Sequence, residues 1–310
     1  MILTLGTRGS KLSLIQSQIV ADKLRSVEPD IQVNLKVIKT LGDKDRRKPL
    51  YQLNQKGIFE KEIDLALIRR EVDFAVHSLK DVPEIGESGL VLAAVPERES
   101  PNDVLVSRSN LKLEQLPSGA TVGTSSLRRM AQVKRLKPDL EVKAIRGNEE
   151  SRVAKVDKGE VDAAILAEAG LKRLGLSSRI AQTLSLEDFP PAAGQGALAV
   201  VARKEDSEVL RVLSRIDHYP SRAEVLAERA LISELHGGCR VPIGTIGRAN
   251  KESLSLYGST YSVDGKLKVD ATLEGDLDAP EQLGAKLAHQ LIERGAKELV
   301  EQWRSFYEQE

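Results

Sequence analysis

Ile2 Leu3 Thr4 Leu5 Gly6 Thr7 Arg8 Gly9 Ser10 reads as a short apolar strand that breaks at a glycine and hands over to a helix. Leu12, Ile15, Ile19 and Leu24 then recur at helical spacing, Pro29 and Asp30 mark a turn, and a second strand covers residues 33–38. The same order of events returns further along the chain. Residues 120–122 form a strand, followed by Gly123 Thr124 Ser125 Ser126 and a helical run through Leu127, Met130, Val133 and Leu136. A turn at Pro138 Asp139 and a strand over residues 142–145 complete the plan. Glu71 Val72 Asp73 Phe74 Ala75 Val76 likewise matches Glu160 Val161 Asp162 Ala163 Ala164 Ile165. Two ordinary strand-helix units can look alike by chance, but the shared Gly-Thr and Pro-Asp positions favour a true internal repeat. Strands alternating with helices predict an α/β fold of parallel, doubly wound sheets, built twice.

Twin lobes predict a cleft, and in open α/β sheets ligands sit beyond the carboxyl ends of the strands. Arg8, Ser10, Ser125 and Ser126 fall at those ends, each at a helix start, where unpaired N–H groups and the helix dipole favour a negative group. Plain N-capping accounts for the serines equally well and is compatible with anion binding. Arg128 and Arg129 follow in the first turn of the second helix, and Arg146 and Arg152 flank Gly147 Asn148 after the next strand. A guanidinium grips a carboxylate at two points, so this cluster predicts a ligand bearing several carboxylates. Phosphate fits less well, because neither a Walker-type loop nor Gly-x-Gly-x-x-Gly is present.

His77 Ser78 Leu79 Lys80 Asp81 Val82 Pro83 closes a strand over residues 72–76 and puts Lys80 and Asp81 at the edge of the first lobe. An Asp near a proline is commonly only a turn former. Beside a lysine it can also stay ionised and stabilise positive charge developing on a substrate nitrogen. His77 reads as packed or hydrogen-bonded structure. Cys239 stands in His236 Gly237 Gly238 Cys239 Arg240 Val241 Pro242, after a helix over residues 222–235. Paired glycines allow close approach of the backbone to a ligand, and a neighbouring arginine favours the thiolate. Without a placed histidine partner, the cysteine reads as an attachment point.

Across the 310 residues, 46 Lys and Arg balance 46 Asp and Glu, so no overall field draws the chain to nucleic acid or an anionic membrane. One cysteine excludes an internal disulfide framework and suits a reducing compartment. The four histidines, at 77, 218, 236 and 289, lack metal-ligand spacing, and no metal is expected. The N-terminus has no signal-peptide pattern and no stretch reaches membrane-span length, which together predict the cytoplasm. After Cys239 the pattern changes to strands over 253–257 and 266–270 around a hairpin turn at Asp264 Gly265. A helix with Leu283, Leu287 and Leu291 on one face follows, giving a small α+β C-terminal domain. Residues 40–57 form a polar, charged stretch that reads as a long loop ending at Lys56 Gly57 Ile58 Phe59.

Gly6 to Ser10, Lys56 to Phe59, His77 to Pro83, Gly123 to Arg129, Arg146 Gly147 Asn148, Ala169 to Gly175, Gly194 Gln195 Gly196 Ala197 and Gly237 Gly238 Cys239 resemble the porphobilinogen deaminases (hydroxymethylbilane synthases) in order and spacing. The resemblance implies two lobes like type II periplasmic binding proteins plus a small C-terminal domain. Domain 1 would comprise residues 1–97 and 197–215, domain 2 residues 101–191, and domain 3 residues 219–310. It implies a dipyrromethane cofactor joined by a thioether to Cys239, its acetate and propionate groups paired with Lys80, Ser126, Arg128 and Arg129, with Ser78, Asp81 and Thr124 also binding it and Asp81 facing the pyrrole N–H groups. Incoming porphobilinogen would meet Arg8, Ser10, Gln16, Arg146, Arg152 and Gln195, under a lid containing Lys56 and Phe59, with Asp81 as the catalytic carboxylate. The implied protein is a monomeric transferase of tetrapyrrole (heme) synthesis. It would condense four porphobilinogen molecules on its primer with loss of ammonia and then release hydroxymethylbilane by hydrolysis. From the residues alone two other functions stay open, a binding protein that merely holds a dicarboxylate and a thiol-dependent acyltransferase.

Overall fold

The computed structural model describes residues 1–40, 61–82, 89–235 and 241–308, without the side chains of 304 and 306–308. Four strands open the chain: β1 (Ile2–Thr7), β2 (Gln32–Val37), β3 (Phe74–Ser78) and β4 (Leu90–Ala94). Five more follow: β5 (Asp103–Ser107), β6 (Thr121–Gly123), β7 (Glu141–Lys143), β8 (Ala163–Ala167) and β9 (Gln182–Thr183). Next come β10 (Leu198–Arg203) and the C-terminal β11 (Ile243–Ala249), β12 (Ser253–Tyr261) and β13 (Lys268–Asp276).

The repeat is visible in the sheet order. The first sheet runs β2-β1-β3-β10-β4 and the second β7-β6-β8-β5-β9. In each, a strand from the Gly-Thr segment is flanked by two parallel partners: β1 by β2 and β3, β6 by β7 and β8. The sheets are not wholly parallel, however. β10 runs antiparallel to β3 and β4, and β5 antiparallel to β8 and β9. An apolar run such as Leu198 to Ala202 specifies a buried strand but not its direction or its partner.

Each sheet buries a core typical of helix-covered strands. In the first, Leu3, Leu5, Phe74, Val76 and Val200 pack against Val20, Ala21 and Leu24 of the helix Lys11–Val27. In the second, Leu105, Val122 and Ile165 pack with Val133 of the helix Leu127–Leu136. A third sheet, β11-β12-β13, is an antiparallel meander. The helix Pro280–Glu293 covers it with Leu283, Leu287 and Leu291. β12 and β13 extend beyond the strands expected at 253–257 and 266–270, and β11 was not foreseen. The Asp264 Gly265 turn stands where the sequence puts it, with Gly265 at φ +75°.

Two compact units result. One comprises the described residues up to Glu99 with Gly196–Arg222; the other comprises Ser100–Gln195 with the described residues from Ala223 onward. The C-terminal sheet thus shares a unit with the second lobe. Among the described residues no helix is long and apolar enough to cross a membrane.

Candidate active site

In the first unit, β3 ends in a single 3-10 turn, Leu79–Asp81. Leu79 is fully buried and donates its N–H to Ala197 O at 3.1 Å, which anchors the turn to the start of β10. Held by that anchor, Lys80 is half-buried and Asp81 exposed. A carboxylate on a solvent-facing turn is accessible to a ligand, which a core aspartate is not. Beside it, buried Gln16 donates from Nε2 to Ser78 Oγ at 2.8 Å, so two of the expected site residues meet. Ser10 is the N-cap of Lys11–Val27: its Oγ accepts from Ser13 N at 3.2 Å. Arg8 is half-buried after β1. His77 is buried as expected, and burial, seconded by the nearby Arg8 charge, lowers its pKa to about 4.

In the second unit, Ser126 caps Leu127–Leu136, accepting from Arg129 N at 3.5 Å, and Thr124 Oγ1 accepts from Ser126 N at 3.1 Å. Ser125 is not a cap; it donates from Oγ to Ile145 O at 2.5 Å and so ties the loop to the segment carrying Arg146. Arg152 Nε donates to Gly147 O at 2.8 Å, while Arg146 Nη1 is buried with no hydrogen-bond partner among the described residues.

Arg128 and Arg129 are not solvated cleft residues in this structure but nearly fully buried. Both converge on Asp103, itself wholly inaccessible. Arg128 Nη1 reaches its Oδ2 at 2.7 Å, and Arg129 Nη2 and Nε reach its Oδ1 at 2.7 and 3.1 Å. Arg128 Nη1 also donates to Gln132 Oε1 at 3.0 Å and Pro190 O at 2.8 Å, and Arg129 Nη1 to Ile165 O at 3.0 Å. Gln195 joins the same carboxylate, donating from Nε2 to Asp103 Oδ1 at 2.8 Å and Pro101 O at 2.7 Å. Burial alone would push the Asp103 carboxyl up, but the two guanidiniums outweigh it and hold the group well below the usual range. Burial pulls Arg128 down, against the pull of Asp103, and the like charge of Arg129 adds to the fall.

The sequence reading missed Asp103. Its signal was an acid opening the apolar run Asp103 Val104 Leu105 Val106, since a carboxylate in a buried strand requires a cationic partner elsewhere.

Two buried cations against one anion leave the cluster one positive charge in excess, and Arg128 Nε has no hydrogen-bond partner among the described residues. An incoming carboxylate would satisfy both the charge and the donor. The residues present therefore fit a group bearing several carboxylates, such as a dipyrromethane with acetate and propionate arms. Cys239, Lys56 and Phe59 lie outside the described residues.

Comparison with known proteins agrees with this chemistry. Residues 3–211 match the family model "Porphobilinogen deaminase, dipyromethane cofactor binding domain", and residues 222–293 match "Porphobilinogen deaminase, C-terminal domain". A porphobilinogen deaminase of Desulforudis audaxviator is 47% identical over 300 residues, covering 97% of each chain. A probable porphobilinogen deaminase of Nitrosopumilus maritimus is 45% identical over 304 residues, 98% of this chain and 97% of its own. Among solved structures, the second substrate binding domain of a putative amino acid ABC transporter from Streptococcus pneumoniae is similar at 16% identity and a TM-score of 0.45. That likeness covers 69% of this chain and 90% of the other. With both family models matched in chain order and relatives aligned almost end to end, the chain belongs to the porphobilinogen deaminase family.

Proposed function

We propose that the chain lengthens a dipyrromethane primer, tethered through a thioether to Cys239, by four head-to-tail additions of porphobilinogen, and then frees hydroxymethylbilane by hydrolysis. The observation that carries this reading is the buried cluster of Arg128, Arg129 and Asp103, whose surplus positive charge and unsatisfied Nε suit a polycarboxylate. When bound, the dipyrromethane supplies the electron-rich pyrrole end at which each carbon–carbon bond forms. Each addition expels ammonia from the incoming aminomethyl group and releases one proton.

Asp81 is the group that answers the charge of those steps. Exposed on its turn and next to Lys80, it accepts hydrogen bonds from pyrrole N–H groups, offsets their transient positive charge and takes up or relays the proton. Ser78, Lys80, Thr124, Ser126, Arg128 and Arg129 hold the carboxylates of the primer. Arg8, Ser10, Gln16, Arg146, Arg152 and Gln195 receive those of porphobilinogen, the unpartnered Nη1 of Arg146 being ready for one. Lys56 and Phe59 belong to the covering loop in this reading. The division into three domains, at the boundaries given above, is part of the same proposal. So are a monomeric state and a cytoplasmic location, where a thiol that must form a thioether stays reduced.

Steady-state turnover of porphobilinogen by Asp81→Ala tests the role of the carboxylate. Its side chain supports no core, so the melting temperature should stay within a few degrees while kcat falls by about 100-fold or more. Normal turnover by this variant would remove Asp81 from the chemistry.

A further inference from the structure

The helix that carries Arg128 and Arg129 has a second contact, with a part of the chain remote in sequence. Leu127 and Ala131 form a buried cluster with Tyr261 at the end of β12 and Trp303 in the C-terminal helix Ala296–Glu308, and Met130 and Val263 pack beside them. Trp303 is fully buried and its Nε1 donates to Tyr261 O at 2.7 Å, so the indole is fixed at both its apolar body and its polar tip. Beyond Tyr261 the chain turns at Gly265 directly against the same helix. A Cβ built at Gly265 would lie 2.8 Å from Ala131 O and 2.9 Å from Arg135 N. Lys134 Nζ donates to Val263 O at 3.3 Å and Arg135 Nη1 to Lys266 O at 3.1 Å, adding polar ties along the hairpin.

We propose that Trp303 and Gly265 are positioning residues, bracing the arginine-bearing helix from the C-terminal module so that Arg128 and Arg129 meet the carboxylates of the primer. The inference deepens the function proposed above and rests on it. Trp303 lies past residue 293, where the match to the C-terminal family model ends. The helix Leu127–Leu136 has only ten residues, and its arginines sit in its first turn on the same stretch as Leu127 and Ala131. A shift of that face displaces both guanidiniums together. Because the primer is attached to the chain, such a displacement misplaces the reacting end and slows the chemical step more than it weakens the binding of free porphobilinogen, most of whose receiving groups lie on other segments, although Gln195 shares Asp103. Misplacement on the ångström scale costs between about 10- and 100-fold in rate.

Five variants and two measurements test the brace. Trp303→Ala removes the indole, and Gly265→Ala drives a methyl group into the helix backbone. Leu287→Ala opens a cavity in the core of the same module away from the helix. Gly175→Ala shares the left-handed strain of Gly265, at φ +72°, but meets nothing within 4 Å. Hydrogen exchange should quicken by about tenfold in amides 127–136 of the first two variants and not of the two controls. In the same pair kcat should fall by about tenfold or more, with KM for porphobilinogen within about twofold of the parent. Trp303→Phe, which keeps most of the volume, should restore most of the rate.

The brace is overturned if exchange in 127–136 is unchanged, or if the controls lose as much kcat at an equal fall in melting temperature. It is also overturned if KM rises while kcat holds. Should the parent chain itself fail to turn over porphobilinogen, the functional reading falls, while the exchange comparison still decides whether the brace exists.

Discussion

His77 shows what a buried neutral group does to the molecule at the residue scale. Its Nε2 has no hydrogen-bond partner among the described residues, and its pKa is about 4 against 6.5 in an unfolded chain. Between those values the unfolded state binds a proton that the fold refuses. Stability is therefore full above pH 6.5 and declines as the pH falls toward 4. Melting curves across this range should show the decline, and His77→Gln should flatten it; an unchanged profile would mean that His77 takes up its proton without cost. The sequence marked His77 as packed or hydrogen-bonded structure, and the residue is buried. It could not place Asp103 among the functional groups, because the partners of a buried acid are chosen by tertiary packing. Arg128 and Arg129 are 25 and 26 residues further on. The position of the arginines in the first turn of a helix was legible, but not their burial.

Elements carry the next layer of cause. Asp103 joins three of them: β5, on which it sits, the helix of Arg128 and Arg129, and the loop that presents Gln195. Removing it as Asp103→Ala leaves two buried cations without their anion, and breaking such a pair from one side costs about 3–5 kcal/mol. Urea unfolding of the variant should show a loss of that order, and a loss below about 1 kcal/mol would mean that other groups neutralise the arginines. Helix starts were well marked in the sequence: Ser10 and Ser126 both act as N-caps. Strand limits were less so. β3 and β8 extend to Ser78 and Ala167, two residues beyond the runs matched in the repeat, because pairing with β10 and β5 continues them. A period-two pattern does not reveal where a partner strand ends.

At the scale of the whole molecule, the twin plan was legible because each copy carries the same punctuation of glycine, serine and proline around apolar strands. The return of the chain into the first sheet as β10 was not, since no local signal distinguishes a strand that stays in its lobe from one that crosses back. In the function proposed above, the chemistry divides along the same lines: the first unit contributes Asp81, the second Arg128 and Arg129, and the C-terminal sequence Cys239. What unites these in one reaction is the tether. The most direct measurement is the mass of the active, freshly isolated protein, intact and after proteolysis. The account predicts an excess equal to one dipyrromethane, confined to the peptide containing Cys239, that persists after turnover. A protein that converts porphobilinogen at full rate with the mass of the bare chain would contradict it.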